Sequence, residues 1–370
     1  MLEGACDTNP LSSVVGDDLC IFLKGNGESM KAIALNGYGF DNVKLSEVGD
    51  PRPGPGEVVV RVKAAALNRL DLWTVSGDLN IPHEFPHPLG ADGAGEIDSV
   101  GDGVKLKTGM PVVINPGISC RGCELCRAGE HSECPRFRIL GEHLPGTLAE
   151  KVKVPATNVF PFPGHLSFGE AATFGVTYIT AYRMLFTRGR LRPGEWVLIT
   201  GIGGGLAQSL FQLVRPVAGR VYVTSSSDDK LQRATDAGAD ATINYKSEDV
   251  GKAIRGLTGK RGVDMVVDSA GGESLSHGLK ALRKGGRVVI AGATAGSTAH
   301  IDLDRLFWNQ LQIIGSTMGS DADVSDMLRL VGGMQLRPVI ERSFRLDQGV
   351  EALRHLDSGE QFGKVVVEVA

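Results

Sequence analysis

Nowhere in its 370 residues does the chain have an uninterrupted apolar run long enough to cross a bilayer, so a helical membrane span is excluded. Positive charge is also in short supply. With 39 Lys and Arg against 43 Asp and Glu, the formal net charge is -4, which leaves no basic field to hold a phosphate backbone and excludes nucleic acid as a main partner. The N-terminal segment lacks both a basic start and a small-residue cleavage site, which argues against export and for a reducing, cytoplasmic compartment. Cysteine is scarce, six in all, and two of these, Cys6 and Cys20, stand far from the rest as ordinary free thiols.

The other four cysteines are the densest signal. Cys120, Cys123, Cys126 and Cys134 follow the spacing C-x2-C-x2-C-x7-C within one loop. Two disulfides or four idle thiols would suit this run in an exported chain, whereas four thiolates in one loop match a closed tetrahedral zinc shell. A shell of four cysteines has no open position for a substrate, so the zinc is structural, one per chain, and the chemistry lies elsewhere.

The length favours two domains. Residues 1–29 are acidic and rich in Gly, Asn and Ser and read as a disordered or loosely docked extension, with Met30-Lys31-Ala32-Ile33 starting the folded part. From there to residue 166, short alternating runs such as Glu57-Val58-Val59-Val60-Arg61-Val62-Lys63 are broken by Gly and Pro and predict a compact, irregular β-barrel, from which residues 115–140 depart as the cysteine loop. Over 167–316 the rhythm changes to strand, helix, strand. Apolar runs at 196–200, 220–224, 241–244, 263–268, 287–291 and 312–316 predict the strands of a doubly wound parallel sheet, and so an α/β fold class. A helical stretch at 324–332 and a last strand at 364–369 return the chain to the barrel, making 317–370 its second piece.

The first of those parallel strands runs into Gly201-Ile202-Gly203-Gly204-Gly205-Leu206-Ala207 and then a helical pattern with Leu206, Leu210, Leu213 and Val214 on one side. Glycine lets backbone approach a pyrophosphate, and the helix N-terminus presents free amides to it. This strand-turn-helix predicts a dinucleotide on Gly203, Gly204, Gly205 and Leu206, with Ala291 and Gly292 at the tip of the fifth strand. At the tip of the second strand an Asp or Glu would select NAD, but the chain has Thr224-Ser225-Ser226-Ser227. Hydroxyls there and the charge of Lys230 one turn on suit the 2′-phosphate of NADP(H); Asp228 and Asp229 count against it unless they complement their helix dipole.

These features, with Pro53-Gly54-Pro55-Gly56-Glu57-Val58, Ala64-Ala65-Ala66-Leu67-Asn68 and Leu89-Gly90-Ala91-Asp92-Gly93-Ala94-Gly95, resemble the medium-chain dehydrogenase/reductase superfamily from Met30 to the C-terminus. The resemblance implies a GroES-like catalytic domain, a Rossmann domain, an active site in the cleft between them and a homodimer or homotetramer. Zinc alcohol dehydrogenases hold a catalytic zinc through Cys, His and Cys, and the positions matching those ligands here carry Asn68, Ala91 and Val176. Asp92 follows as an acid satisfied by loop amides, and His83, His87 and His143 read as hydrogen-bonded structural residues. The quinone reductases fit better: Asn68 and Asp71 match their Asn-x-x-Asp segment, and Ser226, Lys230 and Tyr245 match their 2′-phosphate contacts. Two departures are the cysteine loop, which those reductases often lack, and Ala207 where the family prefers Gly.

Loss of a metal Lewis acid favours acceptors that spread their charge, such as quinones and α,β-unsaturated carbonyls. The expectation is hydride transfer from NADPH to such a small molecule, with the carbonyl oxygen held by Asn68 and by backbone or cofactor hydroxyl donors, Asp71 orienting Asn68, and Trp73 and Phe174 either walling the pocket or, as is commoner for such aromatics, packing in the core. Two other readings stand beside it: a zinc-dependent alcohol dehydrogenase with an atypical site, and an NADPH-binding protein without turnover. The apolar sixth strand, 311–315, is the candidate edge for pairing with a second subunit.

Overall fold

The computed structural model describes residues 29–369; residues 1–28 of the expected N-terminal extension, with its two cysteines, lie outside them, and Ser29 belongs to the first strand. The described chain opens on the strand Ser29–Leu35, which pairs antiparallel with Val43–Gly49 and with His87–Pro88. The barrel is organised around one long strand, Glu57–Ala66, whose Val58, Val60 and Val62 point into a single apolar cluster while Arg61 between them faces solvent. Asp92–Val100 pairs along this strand, and Lys151–Pro155 pairs with its first half. The last strand, Lys364–Glu368, pairs with its second half.

Register is what matters for function. Ala66 lies opposite Asp92 on one side and Val366 on the other, and the ladder continues one residue further with Leu67 N–H donating to the Val365 carbonyl at 2.9 Å. The residues next in line, Asn68 and Lys364, are thereby brought face to face beside Asp92, although they lie at opposite ends of the sequence.

The second sheet is parallel throughout, in the spatial order Ala241–Asn244, Arg220–Ser225, Trp196–Ile199, Val263–Asp268, Leu282–Ile290, Gln312–Gly315. Numbered by sequence this is 3-2-1-4-5-6, the dinucleotide-binding order. Val197, Ile199, Val221 and Val223 fill the core on one face, and Leu198, Tyr222 and Val266 that on the other, which is why these strands read as continuous apolar runs. The fold is α/β, a Rossmann sheet joined to a GroES-like barrel.

Beyond the sixth strand the helix runs from Asp321 to Met334, longer at both ends than the 324–332 expected. Ser320 starts it: its hydroxyl accepts from Asp323 N–H at 3.2 Å and its own N–H donates to the Asp323 carboxylate at 2.8 Å. The strand Ile340–Arg345 and the helix Gly349–Ser358 also lie between that helix and the final strand and had no sequence prediction.

Candidate functional site

The cysteine loop is built as a metal shell. All four sulfurs lie within 4.8 Å of one another, and Cys120 Sγ–Cys126 Sγ and Cys123 Sγ–Cys134 Sγ are both 3.9 Å. A tetrahedron with zinc–sulfur bonds of about 2.3 Å has sulfur–sulfur edges of about 3.8 Å, so the residues fit zinc. Backbone N–H groups of Cys120 and Arg136 point at Cys134 Sγ at 3.4 Å, as a thiolate requires.

The glycine turn begins at Gly201, in the left-handed region with φ 68°, and ends at Gly204, whose side chain-free position leaves the helix Gly205–Val214 without a side-chain cap. Its first amides are available to an anion. Two lysines press on this turn. A Cβ on Gly203 would lie 2.7 Å from Lys230 Cδ, and one on Gly205 would lie 2.9 Å from Lys364 Cδ. A side chain at either glycine would have to push aside the end of a flexible lysine, so both cations lie against the turn that is the candidate pyrophosphate site. The Lys230 ammonium donates to the Gly359 carbonyl at 2.7 Å, beyond the end of the helix Gly349–Ser358, and burial, then Arg233, lowers its pKa. Of the other expected cofactor contacts, Ser225 is buried and accepts from Ser227 N–H at 3.2 Å, Ser226 is half-buried, and Tyr245 is 46% exposed. Ala291 N–H bonds to the Asp268 carbonyl at 3.0 Å, and Gly292 turns away at φ 120°.

The third part of the site lies where the barrel strands converge. Lys364 Nζ donates to Asn68 Oδ1 at 2.6 Å and to Asp92 Oδ2 at 3.0 Å, and all three residues are buried. The other Asp92 oxygen accepts Val176 N–H at 2.6 Å, from a helical segment wound wide over Phe174–Tyr178. Asp92 is therefore satisfied by one amide, from a helical segment where loop amides were expected, and by a cation that sequence reading missed. Its signal was a charged residue heading the apolar strand Lys364-Val365-Val366-Val367. Asn68 caps the helix Arg69–Ser76; its Oδ1 is taken by Lys364 and its Nδ2 donates to the Ala66 carbonyl at 3.3 Å. Asp71 Oδ2 accepts the Asn68 backbone N–H at 2.7 Å. Burial pushes the Asp71 carboxyl up to about 7; the Asn68 amide opposes this, the Asp92 charge adds to it, and Lys364 counteracts it.

Phe174 does not wall a pocket. It is 1% exposed and packs at a tilt against Tyr178 with ring centroids 4.5 Å apart, because this stretch of helix faces the core. Trp73 is half-buried. His83 and His87 do come together, ring centroids 4.4 Å apart, yet His83 Nε2 and His87 Nε2 are bonded to the carbonyls of Glu142 and Gly141. His143 Nδ1 accepts Ile139 N–H at 3.2 Å. Among the described residues the four cysteines are the one group of His, Cys, Asp or Glu that converges as metal ligands do.

The comparisons agree with this geometry. Residues 54–164 match the alcohol dehydrogenase GroES-like domain, and residues 205–332 the zinc-binding dehydrogenase family. The chain is 31% identical over 353 residues to a zinc-type alcohol dehydrogenase-like protein, YogA, from Leptosphaeria maculans, covering 91% of this chain and 97% of the relative. It is similar to a solved NAD-dependent alcohol dehydrogenase, at 42% identity and a TM-score of 0.87, covering 92% of this chain and 100% of the other. It is also similar to a crotonyl-CoA carboxylase/reductase, AntE, solved in complex with NADP, at 27% identity and a TM-score of 0.86, covering 94% and 96%. The chain belongs to the medium-chain dehydrogenase/reductase superfamily and is an oxidoreductase of that family.

Proposed function

We propose that this chain reduces a quinone or an α,β-unsaturated carbonyl at the expense of NADPH, without a catalytic metal. The observation that carries the reading is the bond pattern of Lys364: its ammonium sits between Asn68 and Asp92, beside the amide of Val176, where the family resemblance places catalytic zinc ligands. An amide oxygen and a carboxylate already engaged by an ammonium, with no thiolate or imidazole beside them, do not fit a zinc ion. The cysteine shell does fit one, and four thiolates close it to substrate.

When bound, the reduced dinucleotide supplies the hydride. Gly203, Gly204, Gly205 and Leu206 hold its pyrophosphate against the uncapped helix, and Ala291 and Gly292 border the nicotinamide end. The second strand ends at Ser225, Ser226 follows it, and neither is an acid that would repel a 2′-phosphate; Lys230 and Tyr245 supply further contacts to it. The AntE structure holds NADP, whereas the 42% identical protein is NAD-dependent by name. Asp71 holds the backbone of Asn68, and Asn68 in turn orients Lys364. A second copy is expected to pair along the edge strand Gln312–Gly315, whose outer backbone groups lack a strand neighbour in the sheet, next to the exposed Phe307 and Trp308.

The test is metal analysis joined to an acceptor screen. The expected result is close to one zinc per chain and NADPH consumption with a quinone or enone that survives mild chelation. Two zincs per chain, with chelator-sensitive alcohol oxidation, would overturn the proposal in favour of an alcohol dehydrogenase with an unusual site. Tight cofactor binding with no consumption by any acceptor would make it a binding protein.

A further inference from the structure

The Lys364 ammonium has three protons and spends two, on Asn68 Oδ1 at 2.6 Å and Asp92 Oδ2 at 3.0 Å. Its stem lies against Gly205, the first residue of the helix that the glycine turn feeds, so the charge is one side chain away from the dinucleotide site. The position is over-determined. Asp92 is fixed by Val176 N–H, Asn68 by Asp71, and the strand register sets Lys364 opposite Asn68. With 3% of its side chain exposed, Lys364 is an oriented charge held out of water, where electrostatic stabilisation acts most strongly. The contacts to Asn68 and Asp92 together align the ammonium, and no acceptor among the described residues takes its third proton.

We propose that Lys364 is the catalytic electrophile: its remaining N–H donates to the substrate carbonyl oxygen and stabilises the oxyanion that forms on hydride addition. This rests on the reductase reading given above. In the step, the C4–H bond of the dihydronicotinamide breaks and a C–H bond forms at the β-carbon of the acceptor. The C=C π pair moves to the adjacent bond and the carbonyl pair to oxygen, so the acceptor is reduced and the dinucleotide oxidised. A solvent proton then completes the product at the α-carbon, and Lys364 ends the cycle protonated, as it began. Asn68 is accordingly a positioning residue, its oxygen turned to the ammonium and not to the substrate.

The test compares wild-type protein with Lys364→Met/Asp92→Asn, which removes both charges together and so avoids stranding a buried carboxylate, and with Lys364→Arg. Rates with NADPH and 2-cyclohexenone or 1,4-naphthoquinone, the primary isotope effect from 4-deuterated NADPH, and dinucleotide affinity are measured on each. The expected result is a fall in kcat of about 100-fold or more in the neutral double variant. The isotope effect should rise toward its intrinsic value, NADPH affinity should stay within about threefold, and Lys364→Arg should recover part of the rate. Unchanged kcat, or weakened NADPH binding at constant kcat, would overturn the assignment and make Lys364 a pyrophosphate contact. A readout that needs no turnover separates this from the functional reading. In the presence of NADP, 4-nitrophenol should bind to wild type as the yellow phenolate with its ionisation shifted to lower pH, and lose that shift in the double variant. If wild type consumes no NADPH but shows the Lys364-dependent shift, the reductase reading fails and the oxyanion site stands; absence of the shift in wild type refutes the oxyanion site.

Discussion

Asp71 receives the backbone N–H of Asn68 on one carboxylate oxygen at 2.7 Å, while its other oxygen, Oδ1, is buried without a hydrogen-bond partner. Burial raises the carboxyl from its ordinary 3.8 to about 7, so the folded chain binds a proton there that the unfolded chain has released. Stability from this group is fully present below the unfolded value and is lost as the pH climbs through about 7. Asp71→Asn keeps an acceptor for Asn68 but cannot ionise. The stability difference between wild type and variant should therefore drift against wild type from about 3.8 to about 7, read from urea midpoints across that range. A difference that stays flat with pH rules this account out.

How far the site was legible depends on the range of the contacts involved. The cysteine shell and the glycine turn are local, and spacing alone announces them. The sheet order follows from strands alternating with helices. Lys364 is different: its partners lie 296 and 272 residues away, and only the register of three strands brings Asn68, Asp92 and Lys364 together. Sequence reading put an amide at the position that the resemblance gives to a metal ligand, but it could not see that the amide oxygen is turned to a cation. Phe174 failed for a related reason, since an aromatic beside a cleft and one in a core look alike until the helix face is known.

The cysteine loop is tied to the rest of the molecule by Arg183, a buried side chain that bonds Asp323 at 2.8 Å, Glu130 at 2.5 Å and Glu133 at 3.3 Å. Glu130 and Glu133 are carried by the loop, so untying it leaves Arg183 with Asp323 alone. Cys126→Ser, which removes a buried ligand, should abolish the bound zinc and lower unfolding stability by about 3 kcal/mol, the order expected when a buried ion pair loses a partner. Zinc content and calorimetric unfolding check this. Reductase activity per folded molecule should persist; activity that vanishes in step with zinc while the fold survives would place the metal in the chemistry.

On the proposed reading, cofactor choice turns on Ser226 and Lys230. Ser226→Asp puts a carboxylate at the tip of the second strand, where it accepts from ribose hydroxyls and repels a 2′-phosphate. The NADPH to NADH ratio of kcat/KM should fall by about 100-fold, a change of about 2.8 kcal/mol. Lys230→Ala should raise KM for NADPH by about tenfold and leave NADH unaffected. Because Lys230 is now bonded to the Gly359 carbonyl, this outcome also requires it to exchange that acceptor for the phosphate. Equal losses with both cofactors would mean that it holds the helix end instead.

Gly175 shows how tightly Asp92 is held. A Cβ there would stand 2.1 Å from Asp92 Oδ1, a collision between a backbone-anchored methyl and a carboxylate fixed by Val176 and Lys364. Gly175→Ala must therefore displace Asp92 and loosen Lys364, at a cost of about 3 kcal/mol in stability. The same displacement removes the alignment of the ammonium, so kcat should fall more than KM rises. If the collision is the cause, Asp92→Ala should make the glycine substitution nearly harmless, because the space it needs is then empty. Denaturation of the two single variants and the double variant gives the coupling: a double variant whose loss equals the sum of the two would show that Gly175 and Asp92 act independently.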